Sequence, residues 1–209
     1  AGLLIQMPHD FLVHQCAGQG ISLPDYGNYG VGMVFLPRDP EQRKTCEAII
    51  ERVVKQEGQS LMGWRDVPVS PDAIGVLAAK VQPVIRQFFV ARDPDWEQQH
   101  LFELQLFVIR KQIERAVAAS GMEEREDFYI SSLSSNKLVY KGLIMAEQLE
   151  HFYHDISDES MVTSFALVHS RFSTNTLGSW KLAHPYRFII HNGEINTLRG
   201  NINWMAARE

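Results

Sequence analysis

Residues 165–176, FALVHSRFSTNT, and residues 186–196, YRFIIHNGEIN, decide how this sequence reads. Each runs a short apolar stretch into a cluster of polar side chains. That is the pattern of a buried strand ending at a ligand, and buried strands are expected over Met161–Ser170 and Tyr186–His191. After the first, Arg171 is followed by Ser173, Thr174 and Asn175. A planar two-pronged donor with neutral donors beside it is what a carboxylate takes. After the second, Asn192-Gly193 has two readings. It is the commonest signal of a tight hairpin turn. It also suits an oxyanion hole: an Asn side-chain N–H and a Gly backbone N–H can converge on one developing negative oxygen, and Gly lets the backbone come close.

Working outward, Leu3–Met7 is a short apolar run stopped by Pro8, and Asp10–Gln15 is a helical turn. Tyr29–Leu36 is a strand whose glycines permit close approach. Asp39–Glu57 is the best-punctuated helix: Asp39 can cap it, Pro40 starts it and Gly58 follows it. Cys46, Ile49, Ile50, Val53 and Val54 line one face. Leu61–Val69 is extended, and Val84–Ala91 is a strand. Asp93–Ser120 reads as a long helix capped by Asp93, with Trp96, Leu104, Phe107, Val108 and Val117 on a partly buried face. Phe128–Leu133 and Lys137–Ile144 are two strands joined by a Ser/Asn turn. Ala146–Ile156 and Thr197–Glu209 are helices. The class is α+β.

The 209 residues carry a net charge of −5 with 45% hydrophobic residues, enough to bury roughly 70% of the unfolded chain's surface. No basic stripe favours a nucleic acid. No apolar run approaches the ~18 residues of a membrane span, so neither nucleic acid nor membrane is an expected partner. No secretory leader is visible. Cys16 and Cys46 are too few for a disulfide scaffold or a zinc ribbon, and reduced thiols fit a cytoplasmic protein. Cys46 reads as core. Cys16 has no base near it in sequence and is not taken as a nucleophile. His151 and His154 lack further ligands, so no metal site is expected. The strand-like start at Ala1 and the helix reaching Glu209 predict a domain incomplete at both ends.

HSRFSTNT, with 21 positions from Arg171 to Asn192, and then HNGEINTLRGNINW resemble the glutaminase domain of bacterial glutamate synthase large subunits. That domain is a class II glutamine amidotransferase of the N-terminal-nucleophile hydrolase fold. GLLIQMPHDF (2–11), YGVGMVFLPRDP (29–40), WRDVPV (64–69), DFYISSLSSNKLVYKG (127–142) and AHPYRF (183–188) extend the resemblance over the whole chain, 1–209. The WRDVP element favours glutamate synthase over other amidotransferases.

The resemblance implies a four-layer αββα sandwich, two antiparallel sheets face to face with helices outside. It implies L-glutamine as substrate, Asn192 and Gly193 as the oxyanion hole, Arg171 on the glutamine α-carboxylate and Thr174 helping, with Ser173 and Asn175 as lesser contacts. The family's nucleophile is a Cys at the mature N-terminus whose own amino group is the base, so these 209 residues alone are expected to be inactive. FMN, an iron–sulfur cluster, a reduced electron donor, the remaining synthase domains and a small electron-transfer subunit are implied for the full-length enzyme, and no cofactor for this segment. The alternative is a non-catalytic binding module that keeps the sandwich without the nucleophile.

Overall fold

The computed structural model describes residues 1–94, 98–170, 178–189 and 198–208. In chain order these form β1 (Gly2–Gln6), α1 (His9–Ala17), β2 (Tyr29–Leu36), α2 (Pro40–Gln56), β3 (Ser60–Asp66), α3 (Val76–Lys80), β4 (Val84–Ala91), α4 (Gln99–Ala118), β5 (Tyr129–Ser134), β6 (Lys137–Lys141), α5 (Leu149–Phe152), β7 (Ala166–His169) and α6 (Leu198–Arg208). The strands make two antiparallel sheets, one in the order β6-β1-β7 and the other β3-β4-β2-β5.

Strand alternation sorts the core. Tyr29, Val31, Met33 and Phe35 of β2 and Ile85 and Phe89 of β4 face Ile5, Leu138 and Tyr140 of the smaller sheet. The intervening Val34, Leu36, Phe88 and Val90 face α2 and α4. The order is therefore helices, large sheet, small sheet. This is the face-to-face arrangement expected for the two sheets, with helices on the outer side of the larger one.

The α2 punctuation works as read. The Asp39 carboxylate accepts from the Glu41 and Gln42 N–H groups, Pro40 opens the helix, and the five expected apolar residues are buried. The close approach expected of the β2 glycines is also present: a Cβ at Gly30 would lie 2.6 Å from Leu106 of α4.

Helix α4 differs from its expectation. It starts at Gln99 with Gln98, not Asp93, in the cap position. Its buried stripe is Phe102, Leu106, Ile109, Ile113 and Val117, while Leu104, Phe107 and Val108 are exposed. Spacings of four, three, four and four keep the stripe on one face; of the apolar residues named at the outset, Val117 lies on that face and Leu104, Phe107 and Val108 fall off it. Trp96 lies outside the described residues.

Strands β5 and β6 follow one another, yet they join different sheets. Ser131 is the extra residue where the β2–β5 register shifts. Its hydroxyl donates to the Met33 and Val139 carbonyls, one in each sheet. A bulge bends the strand away from its partner, and the turn at Ser135-Asn136 carries the chain across. Glu103 of α4 holds that turn by accepting from Ser134 Oγ at 3.0 Å and Ser135 Oγ at 2.6 Å.

Three further expectations are corrected. The Ala146–Ile156 helix is broken: α5 is one four-residue turn between 3₁₀ turns at Ala146–Gln148 and His154–Ser157. Strand β7 is four residues long, and Leu167 and Val168 are exposed, because β7 is an edge strand paired only with β1 among the described residues. Residues 186–189 are not a strand: Tyr186 N–H donates to the Ile189 carbonyl in a turn, and Phe188 and Ile189 are exposed.

Candidate functional site

Arg171, Ser173, Thr174, Asn175, Asn192 and Gly193 all lie outside the described residues. The residues leading into and between their two segments are described, and these meet. β7 runs antiparallel to β1 with His169 opposite Gly2. On the other side of β1, Gly2 is opposite Lys141 of β6. Residues 180–184 lie against this end of the sheet, and two glycines make room for them. A Cβ at Gly142 would lie 2.5 Å from the Trp180 ring, and one at Gly2 would lie 2.6 Å from the His184 carbonyl oxygen. The His184 ring stacks on His169 with centroids 4.7 Å apart, and Tyr186 follows at 4.4 Å from His184. The chain two residues before Arg171 therefore touches the chain that leads on to Asn192.

Lys141 sits between the two glycine gaps, fully buried. Its ammonium donates to the carbonyls of Lys181 at 2.8 Å and Ala183 at 2.9 Å, and to the Tyr129 hydroxyl at 3.4 Å. The Tyr129 and Tyr186 rings lie 4.4 and 5.0 Å from it. Burial, and then the nearby Arg187 guanidinium, push its pKa down to about 7. Arg187 itself donates to the Ile130 carbonyl and to Glu114 of α4 at 2.9 Å.

An unfolded lysine keeps its proton to a pH of roughly 10.4, whereas Lys141 in the folded chain releases it near 7. Between these values the unfolded state binds more protons, so this residue's contribution to stability rises with pH, by up to about 1.4 kcal/mol per unit. Denaturant midpoints of wild type and Lys141→Met, taken from pH 6 to 9, are expected to differ by an amount that changes with pH in that sense. A pH-independent difference would refute it.

A second polar cluster joins the two sheets. Arg65 of β3 makes a two-pronged ion pair with Asp155, Nη1–Oδ2 at 2.8 Å and Nη2–Oδ1 at 2.6 Å. Arg65 also donates to Gln87 Oε1 of β4, and the Tyr140 hydroxyl of β6 donates to Asp155 Oδ2 at 2.8 Å. All four side chains are buried. Burial and the Asp155 carboxylate raise the Tyr140 phenol well above its ordinary value, so it remains a donor. The sequence reads WRDVPV and LVYKG as extended segments and as parts of a resemblance, with no role for Arg65 or Lys141. The signal available was a charge placed inside an apolar strand, Lys141 after Leu138-Val139-Tyr140 and Arg65 after Trp64.

Both cysteines are free and buried. Burial pushes Cys16 up to about 11, and burial with the Glu47 charge pushes Cys46 up to about 12. Neither is a thiolate near neutral pH, and neither is placed as a nucleophile. His154 pairs with Ser70 Oγ and His151 lies beside Glu150. Among the described residues no group of three His, Cys, Asp or Glu side chains is placed to hold a metal ion. None of their helices is long and apolar enough to cross a membrane.

The family model for class-II glutamine amidotransferases matches residues 1–209. This chain belongs to that family. Among amidotransferase relatives, it is 51% identical over 209 residues to a glutamate synthase [NADPH] large chain from Bacillus subtilis and 42% identical over 210 residues to one from Azospirillum brasilense. It is 43% identical over 209 residues to ferredoxin-dependent glutamate synthase 2, chloroplastic, from Arabidopsis thaliana. Each alignment takes in all of this chain but only 13–14% of the relative. The mixed helix and antiparallel-sheet structure is consistent with that family.

Proposed function

We propose that this chain is the glutamine-hydrolysing region of a glutamate synthase, releasing ammonia from L-glutamine for glutamate synthesis from 2-oxoglutarate. The observation that carries the reading is similarity over all 209 residues to glutamate synthases of both the NADPH and the ferredoxin-dependent kind. Arg171 binds the glutamine α-carboxylate with Thr174 assisting, and Ser173 and Asn175 line the approach. A thiolate adds to the side-chain amide carbon. Asn192 and Gly193 hold the resulting oxyanion. Collapse breaks the C–N bond, and the nitrogen leaves as ammonia once protonated. Water then cleaves the thioester, giving glutamate and the free thiol.

By resemblance to the family, the nucleophile in this scheme is a Cys at the mature N-terminus of a longer polypeptide, and Cys16 and Cys46, buried with raised pKa values, do not take that part. The fourth layer of the sandwich, over the outer side of the β6-β1-β7 sheet, also belongs to this proposal. Iron–sulfur clusters are held by about four cysteines, and this chain has two. The residues here therefore do not fit that cofactor, and no step is routed through it. The cluster, FMN, the electron donor and a small electron-transfer subunit pertain to the rest of the synthase.

The parent full-length protein is expected to release ammonia from glutamine, and the 209-residue chain alone is expected not to. Folded full-length protein that binds glutamine without releasing ammonia would favour a binding module instead.

A further inference from the structure

Helix α4 is apolar on two sides. Its buried stripe, Phe102 to Val117, lies on the large sheet. On the side turned to solvent, Leu101, Leu104 and Val108 follow at spacings of three and four, with Phe107 beside them, and these four are 38–60% exposed. Exposed apolar residues scattered singly are ordinary. Four on one face of one helix form a contiguous patch, and such patches mark places where another surface packs. The same line continues at Lys111 and Arg115, both exposed. The carboxylate beside Lys111 is Glu114, at 3.7 Å, and Glu114 is shared with Arg110 and Arg187. The outer stripe therefore runs from apolar to basic, with positive charge in excess at its end.

Two observations choose the occupant. A second copy of α4 does not match this stripe. Laid in the same direction, it would set Lys111 and Arg115 against their own copies; laid in the opposite direction, it would set them against Leu104 and Leu101, and a charge buried without a partner is costly. A helix that is apolar and then acidic matches both halves, since its i, i+3, i+4 row can pack on Leu101, Leu104 and Val108 while its carboxylates meet the cations. The second observation is length. The glutamate synthases aligned with these residues carry them as 13–14% of the whole polypeptide, so in such a protein most of the chain is available to pack on this region. We propose that the outer face of α4 is the docking surface for an amphipathic helix from the remainder of the synthase polypeptide, with Leu101, Leu104, Phe107 and Val108 on its apolar side and Lys111 and Arg115 on its carboxylates. The proposal rests on the reading of this chain as a region of a glutamate synthase.

The test uses full-length protein carrying Leu104→Cys, labelled with a water-soluble maleimide and read by mass spectrometry of the peptide that contains position 104. Cys16 and Cys46 are buried and do not compete. The introduced thiol is expected to react at least about tenfold more slowly than N-acetylcysteine at the same pH, because a docked face is reached only when the contact opens. Labelling at the rate of the free thiol overturns the proposal. Protection that is lost on dilution assigns the face to a second copy and overturns it equally. Adding Lys111→Glu and Arg115→Glu is expected to speed labelling at least about threefold by repelling the partner's carboxylates, and an unchanged rate overturns the acidic partner. If Leu104→Cys does not fold, Val108→Cys on the same stripe takes its place with the same expectations. Labelling does not depend on catalysis. An enzyme that releases ammonia from glutamine but labels freely overturns this proposal alone. A wild-type protein without glutamine hydrolysis overturns the functional reading, and the labelling rate still decides whether the face is covered.

Discussion

Replacing Asp155 by alanine is expected to destabilise the fold by about 3–5 kcal/mol, a large fraction of a domain's whole stability. The substitution leaves the Arg65 guanidinium buried with no carboxylate, and it takes the acceptor from the Tyr140 hydroxyl. Gln87 remains as a partner for one nitrogen only. The pair joins β3 to the segment after α5, so its loss acts on both sheets at once. By contrast, breaking the exposed Lys44–Glu41 pair is expected to cost under about 0.5 kcal/mol, because water screens it. Urea denaturation of the two variants measures the contrast. Equal, small shifts would mean that the Arg65 cluster is not the tie between the sheets. Replacing Arg65 and Asp155 together by apolar residues should cost less than Asp155→Ala alone, since no uncompensated charge is then left inside.

Asn192→Ala in the full-length enzyme is expected to lower kcat for glutamine hydrolysis by about 10²–10³-fold, the usual loss on removing one oxyanion donor. KM should change little, because the donor acts once negative charge has developed on the carbonyl oxygen. Arg171→Ala is expected to act the other way round, raising KM for glutamine by losing the two-pronged carboxylate contact. Ammonia release at varied glutamine concentration separates the two patterns. An Asn192→Ala enzyme with wild-type kcat would return Asn192-Gly193 to its plainer reading as a hairpin turn.

The site's legibility was uneven. HSRFSTNT and HNGEIN carried the resemblance to the amidotransferases, because each keeps its motif within a few consecutive residues, and the family match agrees with that resemblance. Lys141 and the Arg65 cluster were not legible in that way. Arg65 and Asp155 are 90 positions apart, and nothing local marks either as the other's partner. Lys141 stood as one polar residue within the strand read over Lys137–Ile144. Its significance lies in two carbonyls 40 and 42 positions downstream.

The same division runs through the fold. The bounds of β2 and α2 followed from the sequence alone, because a capping carboxylate, a proline at the first helical position and an apolar stripe act within one or two helical turns. Where α4 begins and which face it buries could not be read that way, since its stripe is chosen by the sheet it lies on. Nor could the parting of β5 and β6 into different sheets, which turns on one bulged serine bonded to both. Local chemistry determined those elements whose caps and stripes lie within a few residues of one another, as in α2. Only the tertiary structure decided which elements pair and which buried charges meet, because those choices depend on contacts between residues that the chain itself keeps far apart.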